Sequence, residues 1–232
     1  LPLAAARRIR AAATHGTAQE GARNRLGLHK PSPRRRTSIR HNGSSGIGRA
    51  LANALARTGC NLALADLNSD SLAETAAQAR ALGVRVSEHP LDVSDRAAVA
   101  ALPAAVIAEH GNVEILINNA GVALGGNFDE VSTENFDWLM SINFDAVVTM
   151  CRAFLPLLKQ RPEARIVNIS SLFGLITPAG QTAYCASKFA VRGFSNALRL
   201  ELLDSNVGVT VVHPGGVATS IATSASVTPI TI

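Results

Sequence analysis

Arg34-Arg-Arg-Thr-Ser-Ile-Arg-His-Asn-Gly-Ser-Ser-Gly-Ile-Gly-Arg49 joins two signals that ordinarily exclude each other. Gly43-Ser-Ser-Gly46-Ile-Gly48 has the form of a phosphate-cradling turn. Its glycines let backbone N–H groups approach a pyrophosphate, which then sits on the positive end of the following helix. Ile47, Leu51 and Leu55 recur at i, i+4 and i+8 and predict that helix, which ends near Thr58-Gly59. Such a turn should follow a buried apolar strand, yet arginines precede it, and Ile39 is the one strongly apolar residue among them. Burying an unpaired arginine costs several kcal/mol, so this lead-in is expected to make a poor strand.

Downstream the pattern is regular. Asn61-Leu-Ala-Leu-Ala-Asp66, Val84-Arg-Val86, 113–118, 164–170 and 207–212 read as short strands. Helical stretches at 69–82, 95–109, 134–160 and 182–204 alternate with them. That alternation predicts an α/β fold, a Rossmann-like doubly wound parallel sheet with helices on both faces. Asp66 stands twenty residues beyond Gly46 at a strand end, where a carboxylate can accept hydrogen bonds from an adenosine ribose and repel a 2′-phosphate.

The 232 residues carry a formal charge of +5, but unevenly. Residues 1–42 hold ten Lys/Arg against Glu20 alone, a basic arm of +9, which leaves 12 basic and 16 acidic residues and a body of −4. The arm has no sustained periodicity and is expected to be disordered. Its Arg-rich, acid-poor character resembles a mitochondrial transit peptide, set against a cytoplasmic expectation for the body. It could bind nucleic acid or an anionic surface, but it has no aromatic residue for base stacking, so no specific nucleic-acid partner is expected. Cys60, Cys151 and Cys185 are odd in number and scattered, which points to reduced thiols and to no metal site. No membrane span is expected.

Asn118-Asn-Ala-Gly121 ends a predicted strand, Asn143 lies in a helix, Ser170-Ser171 end another strand, and Tyr184-Cys-Ala-Ser-Lys188 begins a helix. Tyr184 and Lys188, four apart, share one helical face. An ammonium beside a phenol favours the phenolate, so Lys188 is expected to lower the Tyr184 pKa toward the range of a general acid/base.

These residues in combination resemble the short-chain dehydrogenase/reductase family from about Gly43 to Thr219. The resemblance implies an NAD(P)-dependent oxidoreductase that interconverts a secondary alcohol and a ketone. By it Tyr184 is the general acid/base, Ser171 binds the reacting oxygen, Lys188 holds the nicotinamide ribose and Asn143 orders a proton-relay water. Cofactor contacts are implied for Gly43, Ser45, Gly46, Ile47, Gly48, Asp66, Asp92, Asn118, Ala120, Gly121, Tyr184, Lys188, Pro214, Gly215, Val217 and Thr219. Ser45 and Leu67 stand where NADP-preferring relatives often place Arg or Lys, and with Asp66 they favour NAD over NADP. A homo-oligomer, dimer or tetramer, is implied through the long helices. The expected organisation is the arm 1–42, a dinucleotide-binding and catalytic domain 43–219, and a polar tail 220–232. The family usually places a substrate-covering loop, a helix and a last strand in the position of that tail. The sheet is therefore expected to be incomplete at its first and last strands, and a non-catalytic cofactor-binding scaffold is the alternative reading.

Overall fold

The computed structural model describes residues 37–41, 46–216 and 226–227. Strand β1 (Thr37–His41) leads to helix α1 (Gly46–Arg57), β2 (Asn61–Asp66), α2 (Ser69–Arg80), β3 (Val86–Pro90), α3 (Arg96–His110) and β4 (Ile115–Asn118). A short β5 (Leu124–Gly125) follows, then α4 (Thr133–Met140), a π-helical turn (Ser141–Asp145) and α5 (Ala146–Lys159). The chain continues through β6 (Ala164–Ile169), α6 (Thr182–Glu201), β7 (Val207–Val212) and β8 (Ser226–Val227). Six strands form one sheet in the order β3-β2-β1-β4-β6-β7, every pair parallel. The order reverses between β1 and β4, the position at which doubly wound sheets open a crevice for ligands.

The strand that the sequence makes least plausible is present. Thr37–His41, assigned above to the basic arm, lies between β2 and β4 and pairs with both. Thr37, Ser38 and Ile39 are fully buried. Its start is clipped by Glu114, whose Oε2 accepts the Thr37 N–H at 2.7 Å while Oε1 pairs with Arg161 at 3.1 Å. Small or β-branched residues need little room here, and the ladders on both sides satisfy the backbone, so one large apolar residue is enough. The Ser38 hydroxyl gains nothing from this arrangement. It is 0% exposed and has no hydrogen-bond partner, a burial that costs about 1–3 kcal/mol. Ser38→Ala is therefore expected to stabilise the fold by about 1 kcal/mol, read as a higher denaturant midpoint; an unchanged or lower midpoint would show that the hydroxyl is satisfied.

β2 shows why this sheet is buried on both faces. Leu62 and Leu64 pack with Ala52, Ala56 and Leu72 of α1 and α2, whereas Ala63 and Ala65 join the cluster built around Phe154, Leu116 and Ile166. Arg49 ties α1 to α2 through a two-pronged pair with Glu74 at 2.7 and 2.9 Å. Helix starts follow their caps: Asn68 accepts from Ser71, Asp95 from Ala97 and Ala98, and Ser132 from Asn135.

One expectation shifts. β3 runs over 86–90 rather than 84–86, because it is an edge strand whose polar residues need no second neighbour. Ser87 Oγ lies 2.8 Å from His89 and 2.9 Å from His110, which ties the edge to α3. The stretch Thr133–Lys159 is long and apolar enough by length and composition to cross a membrane, although charged residues interrupt it. Its apolarity has a local cause: Val147, Met150, Phe154 and Leu158 are buried in the main core.

Candidate active site

The parallel strands deliver their C-terminal ends to one edge of the sheet, and most of the predicted site residues follow them. At the end of β2, Asp66 is buried, and its Oδ1 accepts the Asn68 N–H at 2.9 Å, which fixes the carboxylate at the strand terminus. Asp92, beyond β3, is exposed and accepts from the Ser94 N–H and hydroxyl at 2.8 and 2.7 Å. Gly46 opens α1 with φ 51°, a left-handed conformation that other residues rarely adopt. Ile47 is half-buried and Gly48 buried on the same first turn. Gly43, Ser45, Val217 and Thr219 lie outside the described residues.

β4 ends in Asn118, 1% exposed, whose Nδ2 donates to Asn168 Oδ1 of β6 at 2.7 Å. Asn168 in turn donates to Ser195 Oγ of α6 at 2.9 Å. This buried chain of amides and hydroxyl ties β4 and β6 to the helix that carries Tyr184 and Lys188. Asn168 and Ser195 carry no sequence signal, since small polar residues inside regular elements usually face solvent. Cys151 completes the environment of Asn118, with Sγ 3.4 Å from Nδ2. Burial pushes its thiol up to about 12, so it is an inert packing group.

Asn143 sits within the π-helical turn, fully buried, with every amide atom engaged. Its Oδ1 accepts the Val122 N–H at 2.8 Å, and its Nδ2 donates to Val122 O at 3.0 Å and to Ser187 Oγ at 3.1 Å. Ser187, one residue before Lys188, donates its own hydroxyl hydrogen bond to the Tyr184 backbone carbonyl at 2.8 Å. The loop after β4 and the first turn of α6 are thus locked through one side chain.

Tyr184 and Lys188 do share a helical face, with the Lys188 Nζ 5.6 Å from the centre of the Tyr184 ring. Nζ donates to the Ile169 carbonyl at 3.3 Å. Phe173 meets the Tyr184 ring edge-on, with centroids 6.0 Å apart. The expected lowering of the Tyr184 pKa is not found. Burial pushes it above the ordinary phenol value, a hydrogen bond with Ser171 pulls the other way, and the adjacent Cys185 adds to the rise. Lys188, 3% exposed, bears the cost of burial itself and falls to about 8. At 5.6 Å from the ring centre, an ammonium that is itself poorly solvated does not outweigh the desolvation of the phenol.

The remaining residues frame this cluster. Ala120 is buried and Gly121 half-buried. A Cβ on Gly121 would stand 3.2 Å from Lys188 Nζ and 3.4 Å from Asn143 Oδ1, so the glycine keeps a narrow hollow open beside the ammonium. Ser171 begins the turn after β6 and accepts the Phe173 N–H at 3.2 Å. Pro214 O accepts the Leu172 N–H at 2.8 Å, and His213 Nδ1 lies 3.0 Å from Ser171 O, which joins the segments after β6 and β7. Gly215 is exposed beyond them. The donor set fits a dinucleotide: a helix N-terminus, a buried carboxylate one strand away, and a hollow beside a buried ammonium across the switch point.

Known proteins resemble this chain in sequence and in fold. A family model described as short chain dehydrogenase matches residues 42–229. SadH of Mycobacterium tuberculosis, named as an oxidoreductase, is 48% identical over 185 residues, which cover 79% of this chain and 67% of SadH. A short chain dehydrogenase/reductase from Burkholderia phymatum, solved in complex with NAD, superposes with a TM-score of 0.80 at 36% identity, covering 82% of this chain and 69% of that one. An alcohol dehydrogenase from the archaeon Thermococcus sibiricus, complexed with 5-hydroxy-NADP, gives a TM-score of 0.78 at 29% identity over 84% of this chain and 83% of its own. Sheet order, family model and relatives agree: the chain belongs to the short-chain dehydrogenase family of oxidoreductases.

Proposed function

We propose that this chain interconverts a secondary alcohol and a ketone with NAD as the hydride carrier and Tyr184 as the general acid/base. The observation that carries the reading is the union of Tyr184, Lys188, Asn143 and Gly121 at the switch-point edge of the parallel sheet. A bound nicotinamide would supply or accept the hydride; the protein contributes position and the proton. In ketone reduction the carbonyl carbon gains a hydride and its oxygen takes the Tyr184 O–H proton, which solvent later restores. A phenol whose pKa is raised by burial holds that proton at neutral pH, the form this direction requires. Ser171, whose side chain acts on the Tyr184 phenol, would steady the reacting oxygen. Lys188 would bind the nicotinamide ribose with its ammonium, retained below about 8.

Asp66 supports NAD over NADP, because a buried carboxylate at the end of β2 can accept from two ribose hydroxyls but repels a phosphate in their place. Thermal unfolding of the full chain with NADH or NADPH tests both points. NADH is expected to raise the midpoint with concentration, since a ligand that binds the folded state alone adds RT ln(1 + [L]/Kd), and NADPH is expected to raise it less. A larger rise with NADPH would overturn the role given to Asp66, and no rise with either would overturn the cofactor assignment. The cytoplasmic location and the homo-oligomer expected from the sequence belong to this proposal as well.

A further inference from the structure

The chain carries 22 Lys/Arg and 17 Asp/Glu, yet apart from Lys188 and the exposed acids Glu134 and Asp137 of α4, which packs there through Phe136 and Leu139, none falls in the segments that meet at Tyr184. Ile115–Phe128, Ile166–Ser187 and Ser205–Ile232 contain no Asp, Glu, Lys or Arg. The described parts of all three come together at the site edge. The first includes β4 and Gly121, the second Ser171 and Tyr184, and the third is joined to the second where Pro214 O receives the Leu172 N–H. β8 lies beside Leu124 and Gly125 of β5, and Gly126 N donates to Gly180 O just before α6 at 3.0 Å. Buried strands explain the lack of charge in the sheet. They do not explain it in the loop after Ser171, where residues 175–179 are all exposed.

That loop is also apolar. Leu172, Leu175 and Ile176 are 39%, 44% and 49% exposed, and Phe173 between them packs edge-on against Tyr184. Surface loops ordinarily carry charge, and a cluster of exposed large apolar side chains next to a reacting group marks a binding wall. The titratable groups nearest this wall have other duties. Lys188 is buried against the Ile169 carbonyl, His213 is held at the Ser171 carbonyl, and Arg192 donates to Gly174 O at 3.2 Å.

We propose that the substrate is an uncharged ketone or secondary alcohol with an apolar body, seated against Leu172, Leu175 and Ile176. This rests on the reading of Tyr184 as the reacting acid/base. A carboxylate or phosphate on the substrate would lose water at this wall and find no cation free to replace it among the described residues of the wall. An alkyl or alicyclic body gains in proportion to the apolar area that it removes from water.

The test compares two methyl ketones that differ at the far end alone, 2-octanone and 7-oxooctanoate, as substrates for NADH oxidation by the full chain. The kcat/KM for 2-octanone is expected to exceed that for 7-oxooctanoate by roughly 100-fold. Ile176→Lys, at a half-exposed position that a lysine can occupy while keeping its ammonium in water, is expected to narrow the gap by roughly fivefold, the scale of one ion pair. Leu175→Lys is the second variant, and thermal unfolding verifies that each is folded. Equal use of the two ketones by the unaltered chain overturns the substrate class. A preference for 2-octanone that neither lysine changes overturns the placement of the wall, and shows that other residues of the chain or a second copy cover it. If NADH raises the unfolding midpoint but neither ketone is reduced, the proposed reaction fails, and the substrate class with it.

Discussion

Tyr184→Phe is expected to lower NADH-dependent ketone reduction by about 10²- to 10⁴-fold, the range that a positioned general acid contributes. The cofactor-induced rise in unfolding midpoint should persist. The two readouts separate because the hydroxyl and the ring do different work. The ring packs against Phe173 and belongs to the small cluster of Leu124, Leu139 and Ala183, all of which phenylalanine reproduces. The hydroxyl carries the sole phenolic proton in the chain, which contains one tyrosine. Ser187, which links Tyr184 O to Asn143, binds the backbone and is untouched by the change. A variant that keeps more than a tenth of the original kcat would show that another group delivers the proton.

Lys188→Met should move stability and activity in opposite directions. The Lys188 ammonium is buried, and its pKa falls from 10.5 to about 8 by desolvation alone. The unfolded chain keeps its proton up to the ordinary lysine value, whereas the folded chain releases it near 8. Below about 8 the fold therefore bears the full penalty, roughly 3 kcal/mol, and this loss is recovered as pH rises from about 8 toward 10.5. Methionine fills a similar volume without a charge, at the loss of one hydrogen bond to Ile169 O. At pH 7 the variant is expected to be more stable by about 1–3 kcal/mol and to have lost at least about 100-fold in turnover. The advantage should shrink at pH 9–10. Cys151 and Cys185, both pushed up by burial, begin to subtract stability above the ordinary thiol value, so the difference between the two proteins is the quantity to read. Denaturant unfolding at pH 7 and 9.5 measures it, and a variant less stable than the original at pH 7 would show that the ammonium is well compensated in the fold.

What the sequence makes legible, and what it hides, follows from where each residue draws its support. β2 and β7 are read to the residue because they are continuous apolar runs bounded by polar or glycine-rich turns. Tyr184 and Lys188 are read together because a spacing of four on a helix has a single geometric meaning. β1 is hidden because its stability is external. Its two neighbouring strands and the Glu114 clip hold a segment whose own residues propose no strand. The order in which Tyr184 and Lys188 share the cost of burial is hidden too, since it depends on depth rather than on spacing. Asn168, Ser187 and Ser195 are missed for a related reason: each looks like an ordinary surface residue until its buried partner is known.

The π-helical turn at Ser141–Asp145 has a consequence for the phase of the long helix around it. Ala146 donates to Ser141 O, a step of five residues where the rest of the helix takes four. Each added residue rotates everything beyond it by about 100°. α4 can then direct Leu139 toward the cluster around Tyr184, while α5 directs Met150, Phe154 and Leu158 toward the sheet. One continuous rod thereby addresses two cores that a regular helix of the same composition would meet out of step. Asn143 stands at the point where the rotation occurs. Within this stretch the number of residues is consequently under stricter constraint than their identity, because a single deletion would turn one of the two apolar faces away from its core while every side chain remained the same.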